Sequence, residues 1–166
     1  MTELAGWRDY FIVVGGGAAA LTGLVFVAMT LHLEDIVSDP VHRHRARTIL
    51  TGLTAVFIRC SLALMGGQNG QAIAIELIGV LLIVEWILYR SIRQAMASGD
   101  QGVLLRTVGS FATLVLEQAG ALVLFAGDIR GLYLVGLGMM SSFIFMVTGA
   151  WLLLVGVGRG EVARAS

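Results

Sequence analysis

Long apolar runs alternate with short polar segments along the whole chain. A helix rises about 1.5 Å per residue and the hydrocarbon core of a bilayer is about 30 Å thick, so a spanning helix needs roughly twenty residues. Each apolar run is long enough. The pattern predicts an all-α fold, a polytopic membrane bundle of five transmembrane helices, with the following spans: 11–32, 48–67, 71–89, 103–126 and 132–157.

The polar segments between these runs leave no room for a second folding unit. Residues 68–70 turn the second span directly into the third, and residues 127–131 turn the fourth into the fifth. We therefore expect a single domain over residues 1–166. Only Arg8 provides positive charge before the first run, and Asp9 follows it at once, unlike the leader of a signal peptide. The first run is expected to stay as a mature membrane helix.

Composition supports insertion in a membrane. Hydrophobic residues make up 57% of the chain and charged residues 13%, with a mean hydropathy of +0.88, whereas in soluble domains about a quarter of residues are charged. The single cysteine, Cys60, cannot form an intramolecular disulfide and is expected to be a small packing residue.

The arginines predict how the bundle is oriented. With five spans, one side of the membrane holds only Arg8 and Arg130. The opposite side holds eight arginines: Arg43, Arg45, Arg47, Arg90, Arg93, Arg106, Arg159 and Arg164. Because basic residues concentrate in cytoplasmic loops, the N-terminus should face outward and the C-terminus should lie in the cytoplasm.

Small residues recur along one face of two spans, at spacings of four or seven residues. The two predicted packing ridges are Gly15, Ala19 and Gly23 on the first span, and Gly138, Ser142 and Gly149 on the fifth. Such residues let helix backbones approach closely in lipid. We expect the first and fifth helices to be packing elements, within the subunit or between copies in a homo-oligomer. The glycine run lacks the Lys and Ser/Thr of a phosphate-binding loop.

Three ionisable residues lie deep in the spans and are the best functional candidates. A charge near the bilayer centre costs several kcal/mol, so Arg59, Glu76 and Glu117 should face a partner, a cavity or a water path. Helical phase puts each on a stripe of small or polar residues. The second, third and fourth helices should therefore enclose a polar seam in which all three side chains could meet, while the first and fifth pack outside it or against neighbouring subunits. One arginine cannot neutralise two ionised carboxylates there, so one carboxyl should hold or share a proton.

Two functions fit this seam. The preferred hypothesis is that the protein conducts or senses a small cation or protons through Arg59, Glu76 and Glu117, with the arginine barring free leakage. The alternative is a non-conducting accessory or assembly subunit of a larger membrane complex. In that case the charges form a structural ion pair that locks the helices together.

Other charged residues are predicted to lie at the inner boundary. Glu85 is nine residues past Glu76, about 180° around the helix, so the two cannot share a site. Because Arg90 and Arg106 lie at a similar depth, Glu85 should form an interfacial charge pair with them or be a snorkelling anchor. Asp39 and Pro40 predict a helix start. The helix that follows should present three arginines to lipid headgroups: Arg43, Arg45 and Arg47.

Catalytic and metal chemistry find little support. The chain lacks the paired membrane aspartates, the serine with a membrane histidine and the HExxH motif of intramembrane hydrolases. His42 and His44 are a weak metal signal without a cysteine or carboxylate set. Only His32 approaches a suitable depth for haem ligation. We expect no enzymatic activity, cofactor, metal or nucleic-acid partner.

The stretch GGGAAALTGLVFVAM over residues 15–29, with the arginine-rich entry into the second helix, resembles the start of a group of small bacterial membrane proteins. They are commonest in actinobacteria, and some are labelled modulators of the FtsH protease. The resemblance is strongest over the first third of the chain and carries over no functional residue. It implies a multi-pass protein of the bacterial cytoplasmic (inner) membrane.

Overall fold

The computed structural model describes residues 6–98 and 101–165, and it describes side chains for 6–39, 42–43, 45–90, 93 and 109–155. All regular structure in these residues is helical. The helices are α1 (Arg8–Leu31), α2 (Leu33–Ser38), α3 (Pro40–Ala63), α4 (Gly70–Ser98), α5 (Gln101–Phe125) and α6 (Gly131–Ala165). The five predicted spans correspond to α1, α3, α4, α5 and α6.

Four of the described helices contain stretches long and apolar enough to cross a membrane: Arg8–Leu31, Arg45–Ala63, Gly70–Arg90 and Gly131–Val155. A shorter apolar stretch, Gly109–Phe125, lies in α5. Large apolar side chains are exposed along these helices, for example Val13 on α1 and Trp151 on α6. Such surfaces are unusual for a soluble protein and suit contact with acyl chains. The helices indicate a membrane protein.

The helices start and stop where local sequence directs. α3 begins at Pro40, as the Asp39-Pro40 pair predicts. Gly67 and Gly127 have φ values of 78° and 96°, a left-handed conformation that lets the chain leave α3 and α5 in tight turns. The Asn69 side chain then accepts a hydrogen bond from the Ala72 amide at 2.8 Å and caps α4. The short helix α2 was not predicted.

Helices α3, α4, α5 and α6 form a ring in which each packs against two neighbours, and α1 packs on the outside against α3 and α6. Glycines set the closest approaches. A Cβ atom on Gly120 of α5 would lie 2.7 Å from the Gly131 carbonyl oxygen, and one on Gly15 of α1 would lie 2.8 Å from Cys60 Cβ. Backbones this close maximise dispersion contacts, the main source of helix association in lipid.

The position of α6 corrects a prediction from sequence. The fifth span was expected to pack outside a seam made by the second, third and fourth spans. Instead α6 is part of the ring and lies directly against α5 and α3. Its buried face includes Gly138 and Ser142. These small residues let α6 approach α5 so closely that its side chains reach the interior charges.

Candidate functional site

An ion pair between Arg59 of α3 and Glu117 of α5 lies in the interior of the ring. The Arg59 side chain donates through Nη1 to Glu117 Oε2 and through Nε to the Ala55 carbonyl oxygen at 3.1 Å. The two residues are 1% and 0% exposed. Because neither charge reaches solvent, each depends on the other and on nearby hydrogen bonds for stabilisation. The sequence hypothesis placed both residues in one seam, and the structure brings them together.

The hydroxyl groups of Ser142 and Thr113 lie next to the Glu117 carboxylate. Ser142 Oγ of α6 donates to Glu117 Oε1 at 3.0 Å, and Thr113 Oγ1 lies 2.9 Å from Ser142 Oγ. Thr113 also lies 2.8 Å from the Ser110 carbonyl oxygen, to which it can donate instead. When Thr113 donates to Ser142, the two hydroxyls form a continuous hydrogen-bonded chain to Glu117. Both carboxylate oxygens are therefore hydrogen-bonded.

Gly138 makes this arrangement sterically possible. A Cβ atom at this position of α6 would overlap Glu117 Cγ and would lie 3.0 Å from the Thr113 carbonyl oxygen. The absent side chain leaves the volume that the glutamate occupies. Gly138 and Ser142 were predicted only as a packing ridge, and the structure shows that the ridge faces Glu117.

A cavity of about 300 Å³ lies beside the ion pair and is walled by α3, α4, α5 and α6. Its polar described lining consists of arginines and hydroxyl residues: Arg47, Arg59, Arg90, Thr48, Thr51, Ser110, Thr113 and Ser142. The remaining described lining is apolar and includes Trp86 and Met146. Arg47 and Arg90 lie toward the ends of α3 and α4 with the predicted cytoplasmic charge, whereas Arg59 is about 18 Å from Arg47 along the α3 axis. The cavity thus runs from that end of the bundle toward the buried charges.

Glu76 does not join the pair, contrary to the expectation that all three side chains could meet. It lies nearly two helical turns into α4, and its Oε1 atom accepts a hydrogen bond from Gln68 Nε2 at 2.7 Å. Its Oε2 atom is buried without a hydrogen-bond partner among the described residues. Glu76 is therefore hydrogen-bonded to the turn between α3 and α4 rather than to Arg59. Ser142, not Glu76, supplies the third polar group to Arg59 and Glu117.

The contacts of Glu85 and Arg90, predicted to form a charge pair at the inner interface, also differ from the prediction. Among the described side chains, Glu85 and Arg90 form no ion pair, because five residues on a helix separate them by about 140°. Arg90 lies instead over the ring of Trp86, one turn earlier, at 4.8 Å from the ring centroid. This is a favourable cation–π contact. The side chain of Arg106 is not among those that the structure describes.

The remaining residues of the two predicted packing ridges lie partly in the interior and partly at the surface. Gly15 is buried against Cys60, but Ala19 and Gly23 of the same ridge are exposed, so that ridge does not pack within the subunit over its full length. Gly149 lies near Ile49 of α3, with its hypothetical Cβ 3.6 Å from Ile49 Cγ1. The ridge of α6 therefore faces both α5 and α3.

The basic cluster at the start of α3 is spread around the helix. Arg43 and Arg47 are exposed and Arg45 is half-buried. His42 Nδ1 lies 3.4 Å from the Asp39 carboxylate, three residues earlier. The described residues contain no group of three or more His, Cys, Asp or Glu side chains arranged to hold a metal. Of the three arginines, Arg47 lines the cavity, which the headgroup hypothesis did not foresee.

Sequence reasoning could have found Ser142 by a simple signal. A serine in the middle of an apolar span tends to hydrogen-bond across helices, since hydrocarbon offers it no partner. Its spacing from Gly138 was interpreted only as a packing pattern. The involvement of Arg47, Thr51 and Arg90 in one cavity had no such signal, because it depends on which helices become neighbours.

Comparison of the chain with protein-family models, curated proteins and solved structures found no match. The resemblance to small actinobacterial membrane proteins stays a prediction.

Proposed function

We propose that this protein is a five-span protein of the bacterial cytoplasmic membrane that conducts or senses protons through the polar interior of its helix ring. Its N-terminus would face outward and its C-terminus the cytoplasm, as the distribution of arginines favours. The observation that carries the proposal is the buried ion pair of Arg59 and Glu117, linked by two hydroxyls to a cavity. Ionisable groups at such depth are commonly parts of ion or proton pathways.

The geometry favours protons over alkali cations. A chain of hydroxyl groups can pass a proton by exchanging hydrogen bonds, whereas a metal cation needs several oxygen ligands and space to enter. Both oxygens of Glu117 are already hydrogen-bonded, to Arg59 and to Ser142. Of the two ligands considered from sequence, the proton fits this site better.

The arrangement supports a specific two-state mechanism. A proton entering the cavity would pass from Thr113 to Ser142 and then to Glu117. A neutral Glu117 would no longer balance the charge of Arg59, and an unpaired buried guanidinium is unfavourable. Because Arg59 also lines the cavity, its side chain has a polar space into which it can turn. Protonation would thus be coupled to movement of one side chain.

Purified protein in liposomes tests this proposal. We expect wild-type protein to pass protons, or to change its tryptophan fluorescence reversibly with pH, because Trp86 borders the cavity. Glu117→Gln should abolish both responses. Ser142→Ala should slow proton entry by about a hundredfold or more, the usual contribution of a positioned proton donor or acceptor. Glu76→Gln is the matched control, because Glu76 lies outside the pair, and it should behave as wild type.

Two results would count against proton function. One is wild-type protein that shows neither proton flux nor a fluorescence change over a range of pH and voltage. The other is equal impairment by Glu76→Gln and Glu117→Gln, since the structure separates these residues. Oligomer analysis of every variant, by size-exclusion chromatography with light scattering, distinguishes lost function from lost assembly.

The accessory-subunit hypothesis keeps one observation in its favour. The ion pair and Ser142 join three helices with satisfied hydrogen bonds, which is also how a purely structural core network would look. Exposed Ala19 and Gly23 on α1 would then contact another copy or another membrane protein. Loss of oligomerisation in Glu117→Gln without flux in wild type would favour this function. A native pull-down that returns only copies of this chain would weigh against a heterologous complex.

A further inference from the structure

The charge of the cavity differs from that of the buried pair behind it. Arg59 is balanced by Glu117, whereas Arg47 and Arg90 form no ion pair among the described residues. Both side chains are exposed and line the same cavity. The cavity therefore has an excess of positive charge at the end lined by Arg47 and Arg90. This excess is of the kind that recognises an anion.

The hydroxyl groups suit the same ligand. Thr51 of α3 lines the cavity on the helix face that leads from Thr48 to Arg59, and it can donate one hydrogen bond. A phosphate group offers several acceptor oxygens, which arginine forks and hydroxyls bind together. The described lining contains no carboxylate that would repel it.

The apolar wall adds a second property. Trp86, Leu88, Leu114 and Met146 contribute hydrophobic surface to the cavity, and Trp86 is 58% exposed at the bundle surface. A cavity that combines cationic groups with apolar surface at the edge of a membrane protein matches the two parts of an anionic lipid. A free phosphate ion would use the cationic groups alone.

We infer that the cavity between α3, α4, α5 and α6 is a binding site for a phosphate group, held by Arg47, Arg90 and Thr51. The phosphate belongs either to a lipid headgroup or to a soluble phosphate compound. This inference goes beyond the proposed proton function and does not require it, since binding can occur whether or not Glu117 exchanges protons.

Ligand binding to the purified, full-length protein in a non-ionic detergent tests the inference. The probes are inorganic phosphate, dioctanoyl phosphatidylglycerol and, as a zwitterionic control, dioctanoyl phosphatidylcholine. We expect one of the two anionic probes to bind and to raise the unfolding temperature, and phosphatidylcholine to bind at least tenfold more weakly. Binding of inorganic phosphate indicates a soluble ligand, whereas binding of phosphatidylglycerol alone indicates a lipid headgroup.

Matched arginines on the same helices provide the controls. Arg47→Gln and Arg90→Gln should each weaken binding by about tenfold, the effect of losing one charge-assisted hydrogen bond. Arg43→Gln and Arg93→Gln remove the same charge from exposed positions outside the described cavity lining, and they should change affinity less than about twofold, by screened long-range attraction alone. Thr51→Val should weaken binding without changing charge.

Failure of both anionic probes to bind wild-type protein would overturn the inference. Equal weakening by Arg43→Gln and Arg47→Gln would also overturn it, because binding would then report only the overall basic surface. These outcomes are separate from proton flux: a Glu117→Gln variant that loses flux but binds the anionic probe at least as tightly as wild type would support both ideas independently, because neutral Glu117 leaves Arg59 to add positive charge to the cavity.

Discussion

At the scale of single residues, the ion pair of Arg59 and Glu117 determines what the interior tolerates. Both side chains are almost fully inaccessible. Deleting one partner leaves an uncompensated buried charge, whereas deleting both leaves a cavity but no charge. The two kinds of substitution should therefore have different effects on stability, and the difference measures how strongly the charges depend on each other.

We predict that Arg59→Met destabilises the protein by about 3–5 kcal/mol, because Glu117 is left buried without its cation. Combining Arg59→Met with Glu117→Leu should recover more than half of that loss. The measurement is a double-mutant cycle of unfolding free energies in mixed micelles. Additive losses, with the double variant as unstable as the two single variants together, would show that the residues are not energetically coupled.

At the scale of helices, the glycines explain why α5 and α6 can enclose the charged pair. Gly120 approaches the backbone of α6, and Gly138 leaves room for the Glu117 side chain. Glycine lowers the stability of an isolated helix relative to alanine by up to about 1 kcal/mol. These positions therefore exchange local helix stability for close packing, whereas exposed glycines elsewhere gain nothing in return within the subunit.

We predict opposite effects for alanine at buried and exposed glycines. Gly120→Ala and Gly138→Ala should destabilise the protein by about 1–3 kcal/mol, because the new methyl groups overlap the neighbouring helix or Glu117. Gly23→Ala is the matched control, since its Cβ meets nothing within 4 Å, and it should be neutral or slightly stabilising. Thermal unfolding in detergent compares the three. Similar losses at Gly23 and Gly138 would contradict the packing described, unless Gly23→Ala also changes the oligomeric state.

How far the sequence predicted these elements depends on how local their signals are. The helices α1, α3, α4 and α6 follow from runs of apolar residues, and the start of α3 follows from Asp39 and Pro40. Both signals are contained in a few neighbouring residues. The short helix α2 was missed because it lies in a polar segment without the length or periodicity of a span.

The neighbours of each helix were harder to predict. The phase of Arg59 and Glu117 on small or polar stripes correctly indicated their inward orientation. Glu76 lies on a similar stripe, yet it contacts Gln68 near the turn, because depth estimates of a few ångströms do not fix helix tilt or rotation. The same limit explains why the third polar group at the ion pair is Ser142 of α6 rather than Glu76 of α4. Helical phase constrains which face points inward but not which partner it meets.

At the scale of the whole molecule, the two ends of the helix ring differ in their loops and in their positive charge. One end has the tight turns at Gly67 and Gly127. The other has the exposed arginines Arg43, Arg47, Arg90 and Arg93, of which Arg47 and Arg90 line the cavity. If the latter end is cytoplasmic, the proposed proton path and the proposed phosphate site would open to the same compartment.

We predict that cysteines placed at Gln71 and Arg130 react with a membrane-impermeant maleimide in intact cells, because both positions are exposed beside the turns that should face outward. Cysteines at Glu34 and Arg93 should react only after the membrane is permeabilised. Native Cys60 is 1% exposed, so the unmodified chain should not react, and Cys60→Ala provides the background. Labelling of intact cells only at Glu34 and Arg93 would show that the orientation is the inverse of the one predicted. Labelling at Gln71 but not Arg130 would contradict five crossings, since an even number of spans between these positions is what puts both on one side.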